Sequence, residues 1–433
     1  MVSAVADLWR RYGRHLERVT MLGLRLTNSL AKFALSLYMV RHLGLAEVGV
    51  FGLLVSASTG LPAIFGFGLN DWTARHLVGL ERARAIPVAV ARLSLTLVTD
   101  AMLLALFWAA ILAFDLPIAR TTALLMSAIL VLEHLAMDEY AIEIGRERLI
   151  FVNFQHFFRA GLWPIPVIVW GLVDPAARSL DVVLSGWLAG QLAMWVLVGW
   201  RALSGGRWRL FGFDRSYLGN ALGGSVHFWL ADIGLVGNQH LDRFLVSLFL
   251  GMEATGIYVL FWSVANVVHT LSVIGILQPQ TPRLIVAERS GDAAVFAAER
   301  RRVGRDAGVW AAILAAGAGI ALPLVLPWFG RPQLAEALPI YYVILAATLA
   351  RIGSDGFGFV LIALHRDRAI AATALGGVAA TAAADLILIP PFGLIGAAAA
   401  YLVVGLGLLA LRRRLVTSEV ARRAQAASTH PAP

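Results

Sequence analysis

The sequence Leu43–Ser56, LGLAEVGVFGLLVS, returns 207 residues later as Leu250–Ser263, LGMEATGIYVLFWS. Five of the fourteen aligned positions are identical: the opening leucine and glycine, the central glycine, a later leucine and the final serine. Each stretch lies at the break between two long apolar segments, where glycine suits a helix-to-helix turn. The repeating unit is therefore half of the chain. A duplicated membrane bundle commonly holds its site between the halves, so the repeat indicates transport.

The composition is that of a membrane protein. Hydrophobic residues make up 59% of the 433 residues, charged residues make up 15%, and the mean hydropathy is +0.75. A helix needs about 20 consecutive apolar residues to cross a bilayer. Twelve segments qualify, at roughly 20–41, 46–66, 86–112, 118–141, 149–171, 179–203, 217–248, 253–278, 304–327, 337–364, 369–390 and 394–415. We therefore predict an all-α integral membrane protein with about 12 transmembrane helices.

The repeat divides these helices into two lobes. We predict an N-terminal six-helix lobe at 1–208 and a C-terminal six-helix lobe at 209–418. Because each lobe has an even number of spans, the lobes run parallel, and we expect them to surround a central cavity. Residues 419–433 are polar and rich in alanine and proline, which predicts a disordered cytoplasmic tail.

The arginines give the orientation. In a twelve-span topology, 26 arginines lie on one side and four, Arg41, Arg120, Arg178 and Arg331, lie on the other. Positive residues stay cytoplasmic, so we predict a multi-pass protein of the bacterial inner membrane with both termini in the cytoplasm. The basic face borders membrane spans throughout, which favours contact with membrane lipids and argues against nucleic acid.

Several chemistries are missing from the sequence. The only lysine, Lys32, follows an alanine, so no GxxxxGK[ST] phosphate loop exists, and no HExxH occurs. The ten histidines lack metal-ligand spacing and there is no cysteine, so we expect no metal, no cofactor and no catalytic residue. The outward connections are short, which disfavours a membrane glycan ligase or polymerase.

Polar side chains follow one face of two equivalent segments. In segment 1 they recur at i, i+3, i+4, i+7 and i+11, and they are Arg25, Asn28, Ser29, Lys32 and Ser36. Segment 7 has Asp232, Gln239 and Arg243, which are 207 residues from Arg25, Lys32 and Ser36. A polar helical face at membrane depth must look into a cavity, and we expect the two stripes to face each other there.

Further ionisable residues lie at membrane depth, where they are costly and usually functional. We predict a substrate site formed by Arg25, Lys32, Arg159, Arg243 and Arg351. Asp100, Glu133, Asp232 and Asp355 are candidates for binding a coupling ion or for pairing with an arginine. Arg351 and Asp355 stand at i, i+4, so a structural ion pair is an equal alternative there.

The unpaired cations on segment 1 indicate an anionic substrate, since no acid shares the face of Arg25 and Lys32. Arginine suits phosphate because its planar fork binds two oxygens and stays charged when desolvated. A diphosphate headgroup on a membrane-soluble tail fits this site. Its export is also favoured by an inside-negative potential, worth about 2.3 kcal/mol per charge per 100 mV.

Five stretches carry a family resemblance, and they are Arg41–Phe51, Phe65–Leu69, Leu241–Phe244, Phe249–Tyr258 and the proline/glycine turn with its small-residue helix, Ile389–Ala400. In these stretches the chain resembles the multidrug/oligosaccharidyl-lipid/polysaccharide (MOP) exporter superfamily, specifically its Wzx-like polysaccharide flippase branch. The resemblance implies alternating access, a cationic lumen and movement of oligosaccharide linked to undecaprenyl diphosphate. It also implies a monomer, associated with polysaccharide polymerase machinery and coupled to a proton or sodium gradient. An ion-coupled multidrug exporter of the same superfamily is the alternative.

Overall fold

The computed structural model describes residues 20, 23, 24, 27, 28, 30–113, 119–204 and 212–429. Within these residues the regular elements are helices, and there is no β-strand. Arg25 and Ser29 of the predicted stripe lie outside the described residues.

We number the helices of the described residues in chain order. They are α1 (30–42), α2 (Leu45–Phe65), α3 (Leu69–Leu77), α4 (Arg82–Ala113), α5 (Arg120–Gly145), α6 (Leu149–His156), α7 (Pro164–Val173), α8 (Leu180–Ser204), α9 (Arg215–Gly224), α10 (Val226–Ser272), α11 (Gln278–Arg289), α12 (Ala293–Val325), α13 (Pro332–Glu336), α14 (Leu338–Ala363) and α15 (Asp367–Thr429). Two π-helical segments, Phe157–Leu162 and Val273–Leu277, follow α6 and α10. Short 3₁₀ turns occur at Pro175–Ala177 and Leu326–Phe329.

Nine helical stretches of the described residues are long and apolar enough to cross a membrane. Two of these stretches contain a glycine with non-helical angles, Gly251 (φ 80°, ψ −178°) and Gly393 (φ 62°, ψ −140°). Each glycine divides its stretch, so Val226–Arg289 and Asp367–Arg423 each supply two of the predicted spans. With α1 in the first predicted segment, the all-α multi-span fold expected from the sequence is confirmed.

The glycine that opens each copy of the repeat has a positive φ, 137° at Gly44 and 80° at Gly251. Glycine tolerates such angles because it has no Cβ to clash with the backbone. At Gly44 the chain turns into α2, and at Gly251 it turns into the second part of α10. The sequence motif therefore marks the same backbone turn in both halves.

The chain forms two compact units whose boundary differs from the one predicted at 208/209. Unit 1 contains the residues up to Leu43 and Leu54–Asp232, and unit 2 contains Gly44–Leu53 and Ile233–Pro433. The boundary lies later because α9 and the start of α10 pack on unit 1. Tyr217 of α9 is 2% exposed in an apolar cluster with Leu69, Leu77 and Ile142, and its hydroxyl lies 2.5 Å from that of Thr73.

The buried core of unit 2 includes residues that lie outside the predicted transmembrane segments. Leu284 of α11, Phe296 and Val303 of α12, and Val416 of α15 belong to one buried cluster. Helix α15 continues to Thr429, so 419–429 is helical and not disordered as we expected.

Glu419 anchors the C-terminal part of α15, and it is 5% exposed. Its carboxylate accepts hydrogen bonds from Arg366, from Arg422 at 2.8 Å and from Arg423 at 2.9 Å. Arg423 also pairs with Glu288 of α11. The pairs of Glu419 with Arg422 and Arg423, at i, i+3 and i, i+4, stabilise the helix itself. The pairs Arg366–Glu419 and Arg423–Glu288 hold this end of α15 against the rest of unit 2.

Candidate functional site

Arg159 of unit 1 lies in the π-helical segment Phe157–Leu162, and such segments occur frequently at functional sites. Its Nη1 donates to Oε2 of Glu133 at 2.5 Å, and the other carboxylate oxygen of Glu133 accepts from Trp187 Nε1 at 2.8 Å. Both side chains of the ion pair are mostly buried, at 14% and 11% exposure. Arg159, which we predicted to bind substrate, is therefore neutralised by an acid from α5.

Lys32 lies on an exposed position of α1, and its charged neighbours are Glu133 and Arg159. Among the described residues its ammonium makes no hydrogen bond and no ion pair within 4 Å. The structure thus brings Lys32, Arg159 and Glu133 together in unit 1. No acid shares the face of Lys32 within segment 1, but Glu133 of α5 lies near it.

Asp100 of α4 forms an ion-pair contact that the sequence analysis missed. Its Oδ1 lies 2.6 Å from Nδ1 of His134 in α5, with both side chains almost fully buried. The next turn holds a second pair, in which Arg92 Nη2 donates to Asp138 at 2.6 Å. Thr96 also donates to Asp138. The spacing of Arg92, Thr96 and Asp100 at i, i+4 and i+8 was the available signal for this interface.

Arg243 of unit 2 is 3% exposed on α10. Its guanidinium carbon lies 3.8 Å above the ring of Trp262, and its Nη1 is 2.8 Å from His240 Nδ1. The adjacent Asp242 accepts a hydrogen bond from the Tyr258 hydroxyl at 2.7 Å. Arg243 is therefore held by an aromatic face and has a carboxylate nearby.

An ion pair between Arg351 and Asp355, one of the two alternatives from the sequence, is not formed within 4 Å. Asp355 instead lies 2.8 Å from His269 Nε2 and 3.1 Å from Arg412 Nη1. Arg351 Nη1 donates a long bond of 3.5 Å to the Tyr401 hydroxyl. The i, i+4 spacing allowed a pair within α14, but α10 and α15 supply the partners of Asp355.

Asp385 of α15 is a buried carboxyl that the sequence analysis did not single out. It is 1% exposed, and neither oxygen has a hydrogen-bond partner among the described residues. Asp242 and Tyr258 interact with it electrostatically. A single acid inside an apolar segment was the signal that could have found it.

The predicted stripe on segment 7 is divided between the units. Asp232 belongs to unit 1, where Asp71 is its charged neighbour, whereas Gln239 and Arg243 belong to unit 2. In the part of the chain that the structure describes, no group of three or more histidine or acidic side chains is placed to hold a metal ion. The arrangement provides two sets of charged groups at membrane depth, one in each unit.

No protein-family profile matches the sequence, and no curated protein sequence matches it. Solved structures do match its fold. An inward-facing multidrug resistance MATE family transporter of the MOP superfamily aligns at 12% identity with a TM-score of 0.69, over 92% of this chain and 96% of the other. The lipid II flippase MurJ, in an inward closed conformation, aligns at 11% identity with a TM-score of 0.66, over 94% and 90%.

The chain has the MOP transporter fold. A further MOP superfamily transporter, from Pyrococcus furiosus and noted for a binding pocket of reverse polarity, aligns at 12% identity with a TM-score of 0.59, over 93% and 96%. At such identities the likeness establishes the fold. The fold that the superfamily resemblance implies is confirmed, while membership of the superfamily and of its polysaccharide branch stays a prediction.

Proposed function

We propose that this chain is a flippase that moves oligosaccharide units linked to a polyprenyl diphosphate across the inner membrane by alternating access. The fold supports a transporter, and solved structures with this fold include a lipid II flippase and multidrug transporters. Between these substrate classes, the intramembrane charges favour the lipid-linked diphosphate.

The observation that carries the proposal is the hydrogen bonding of Arg351. A guanidinium has five N–H donors, and among the described residues Arg351 donates only to Tyr401, at 3.5 Å. No carboxylate of the described residues lies within 4 Å of it. A diphosphate oxygen would supply the charged acceptor that this arginine lacks, in the bidentate geometry that arginine favours.

Unit 1, taken by itself, holds a further candidate cation. Lys32 makes no ion pair among the described residues, and its ammonium is a mobile point charge. Arg159 contributes orientation and not net charge, because Glu133 holds it. Within unit 1 we propose Lys32 as a substrate-binding residue and Arg159 as a residue that positions its surroundings. Arg25 stays a proposed substrate-binding residue on the basis of the sequence.

The energy for transport is proposed to come from an ion gradient or from consumption of the product. The sequence has no phosphate-binding loop, since its only lysine follows Ala31. Transport should therefore continue without ATP while the membrane potential is held constant.

The test is translocation of a defined probe, an NBD-labelled polyprenyl diphosphate disaccharide, in proteoliposomes quenched from outside with dithionite. Arg351→Gln should slow translocation by roughly ten- to hundredfold, because a charge-assisted hydrogen bond is worth about 1.5–3 kcal/mol. Arg351→Lys should recover part of the rate. Arg413→Gln removes an exposed arginine of the same unit and should leave the rate unchanged. Normal translocation by Arg351→Gln would contradict the proposal.

Asp385 favours the second candidate, an ion-coupled exporter of cationic drugs. A buried carboxyl without a partner among the described residues is a potential site for a cation. On this alternative, ethidium efflux is lost in Asp385→Asn and kept in Arg351→Gln. The lipid-linked substrate predicts no ethidium efflux by the wild-type protein.

A further inference from the structure

A recess of about 240 Å³ opens at one end of unit 1, where the turn between α3 and α4 meets the turn between α5 and α6. Its walls include three arginines, Arg82, Arg146 and Arg148. None of them belongs to the charged groups that we assign to transport. A water molecule takes up about 30 Å³, so the recess has room for a group of several heavy atoms.

The recess lies where membrane-crossing helices end. The stretch Arg82–Ala113 begins beside it, Arg120–Gly145 ends beside it, and Ile150–Val173 begins shortly after it. The 26-residue α5 is about 39 Å long at 1.5 Å per residue, which exceeds the roughly 30 Å of the hydrocarbon core, so its end reaches the headgroup layer. Val78 and Ile150, close to the recess in sequence, are 57% and 41% exposed and provide apolar surface for acyl chains.

The two turns that form the recess are packed directly against each other. A Cβ on Gly145 would lie 2.5 Å from the carbonyl oxygen of Ala74 and 3.0 Å from the Cβ of Leu77, so α5 and α3 meet without an intervening side chain. The backbone N–H of Arg148 donates to the carbonyl of Glu143 at 3.0 Å, which closes the turn after α5. The arginines of this turn therefore extend from a fixed backbone.

Arg146 and Arg148 share one buried carboxylate. Arg148 Nη1 donates to both oxygens of Glu143 at 3.2 Å, and Arg146 Nη1 lies 3.5 Å from Oε1. The Glu143 side chain is 0% exposed, whereas those of Arg146 and Arg148 are 9% and 26% exposed. A guanidinium has five N–H donors, and among the described residues Nε and Nη2 of Arg148 make no hydrogen bond. Glu143 thus orients two arginines and neutralises one positive charge.

The charges at the recess do not cancel. Its three arginines stand against two acids, the buried Glu143 and the exposed Glu147, which leaves a net charge of +1. Glu81 and Arg84, close to the first arginine in sequence, add one charge of each sign. A phosphodiester carries one negative charge, and its oxygens match the planar fork of a guanidinium. The size and the charge of the recess therefore suit a phosphate ester.

We propose that this recess binds a phosphate ester, held by Arg146 and Arg148 at its base and by the exposed Arg82 at its open side. The ester is supplied by the headgroup of an anionic phospholipid or by a soluble phosphate. Bound there, it joins the turn before α4 to the turn before α6, and it stabilises unit 1 because it binds the folded state. The site does not depend on the proposed function, since none of its residues is assigned to the transported substrate.

The test is thermal unfolding of the full-length protein, delipidated in detergent, with phosphatidylglycerol, phosphatidylcholine or inorganic phosphate added. A lipid source predicts that phosphatidylglycerol raises the melting temperature more than phosphatidylcholine, whose headgroup has no net charge. A soluble source predicts that inorganic phosphate raises it more than chloride at equal ionic strength. Native mass spectrometry counts the phosphatidylglycerol that stays bound. If neither anion stabilises the protein selectively, the site is overturned.

Two variants assign the effect to the recess. Arg82→Gln and Arg148→Gln should each weaken the apparent affinity for the stabilising anion by about tenfold or more, because a charge-assisted hydrogen bond is lost. Arg84→Gln is the matched control, since Arg84 is also exposed at the start of α4 but does not line the recess, and it should leave the affinity unchanged. If Arg148→Gln does not fold because Glu143 loses a partner, Arg82→Gln decides. An affinity unchanged in Arg82→Gln, or weakened equally in Arg84→Gln, would overturn the proposal.

Discussion

Gly49 and Gly256 occupy equivalent positions of the 207-residue repeat and pack directly against each other. A Cβ on Gly49 would lie 2.2 Å from the carbonyl oxygen of Met252, and a Cβ on Gly256 would lie 1.8 Å from that of Leu45. Leu45 and Met252 are themselves repeat equivalents. Each copy thus makes the contact that the other makes, which is the geometry of a two-fold axis. Glycine is required here because the two backbones meet without intervening side chains.

The close packing of Gly49 against Gly256 predicts that adding one methyl group there destabilises the fold. Gly256→Ala should lower the free energy of unfolding by about 1–3 kcal/mol, because backbone must shift to admit the Cβ. Gly308→Ala is the control, because a Cβ placed there would meet no atom of the described residues within 4 Å beyond the neighbouring backbone of α12 itself. It should be neutral or stabilising. Thermal unfolding in detergent compares the two, and equal melting temperatures would refute the close crossing.

The Arg159–Glu133 pair predicts an asymmetry between single and double variants. Glu133→Gln leaves a mostly buried arginine without its counter-charge, and breaking such a pair costs about 3–5 kcal/mol. Glu133→Gln/Arg159→Gln removes both charges and should recover part of that loss. Melting temperature and yield of folded protein measure the effect. A double variant less stable than Glu133→Gln would show that the two charges are not coupled.

Asp214 predicts a pH dependence at the start of α9, outside the membrane spans. The Ser216 hydroxyl, at 2.6 Å, and then the Tyr217 backbone N–H lower the pKa of the Asp214 carboxyl. A lowered folded-state pKa stabilises the fold above the unfolded pKa, near 4, and this stabilisation is lost as pH falls through the folded pKa.

The N-cap of α9 is tested by Asp214→Ala, which should cost about 1 kcal/mol at pH 7. The cost should shrink below about pH 4, where the wild-type carboxyl is protonated too. Asp214→Asn keeps a capping oxygen and should be milder. Melting curves at pH 7 and pH 3.5 provide the comparison. A pH-independent cost for Asp214→Ala would argue against a contribution from the charged form.

Glu419 predicts that the end of α15 is part of unit 2. Glu419→Gln weakens its contacts with Arg366, Arg422 and Arg423, and leaves three cations together. We expect faster proteolytic cleavage after 419 and a lower melting temperature. Arg413→Gln, exposed and about two turns earlier, should change neither. Unchanged proteolysis of Glu419→Gln would return this region to the disordered tail expected from composition.

The spans and their turns could be predicted from sequence because they depend on local properties. About 20 apolar residues make a span wherever they occur, and a glycine with positive φ makes the turn at Gly44 as at Gly251. The end of α15 also carried a local signal, since Glu419 has arginines at i+3 and i+4. The polar, alanine- and proline-rich composition predicts disorder, but α15 continues to Thr429 with these ion pairs formed.

The partners of the buried charges could not be predicted, because they depend on how separate helices are rotated and paired. Glu133 and Arg159 are 26 residues apart, and Asp355 and Arg412 are 57 apart. Helical periodicity places each residue on a face of its own helix but does not say which helix that face meets. Arg159 and Glu133 were therefore separate candidates in the sequence, and their pairing appears only once α5 and the π-helical segment are packed together.

The placement of Gly44–Leu53 has a consequence for any attempt to divide this protein into two chains. These residues open α2, which continues into unit 1, yet they pack with unit 2. Two co-expressed fragments cut near position 208 would leave them on the N-terminal fragment. The C-terminal fragment would then lack the backbone of α2 against which Gly256 packs. It would have to bind the N-terminal fragment to restore that contact.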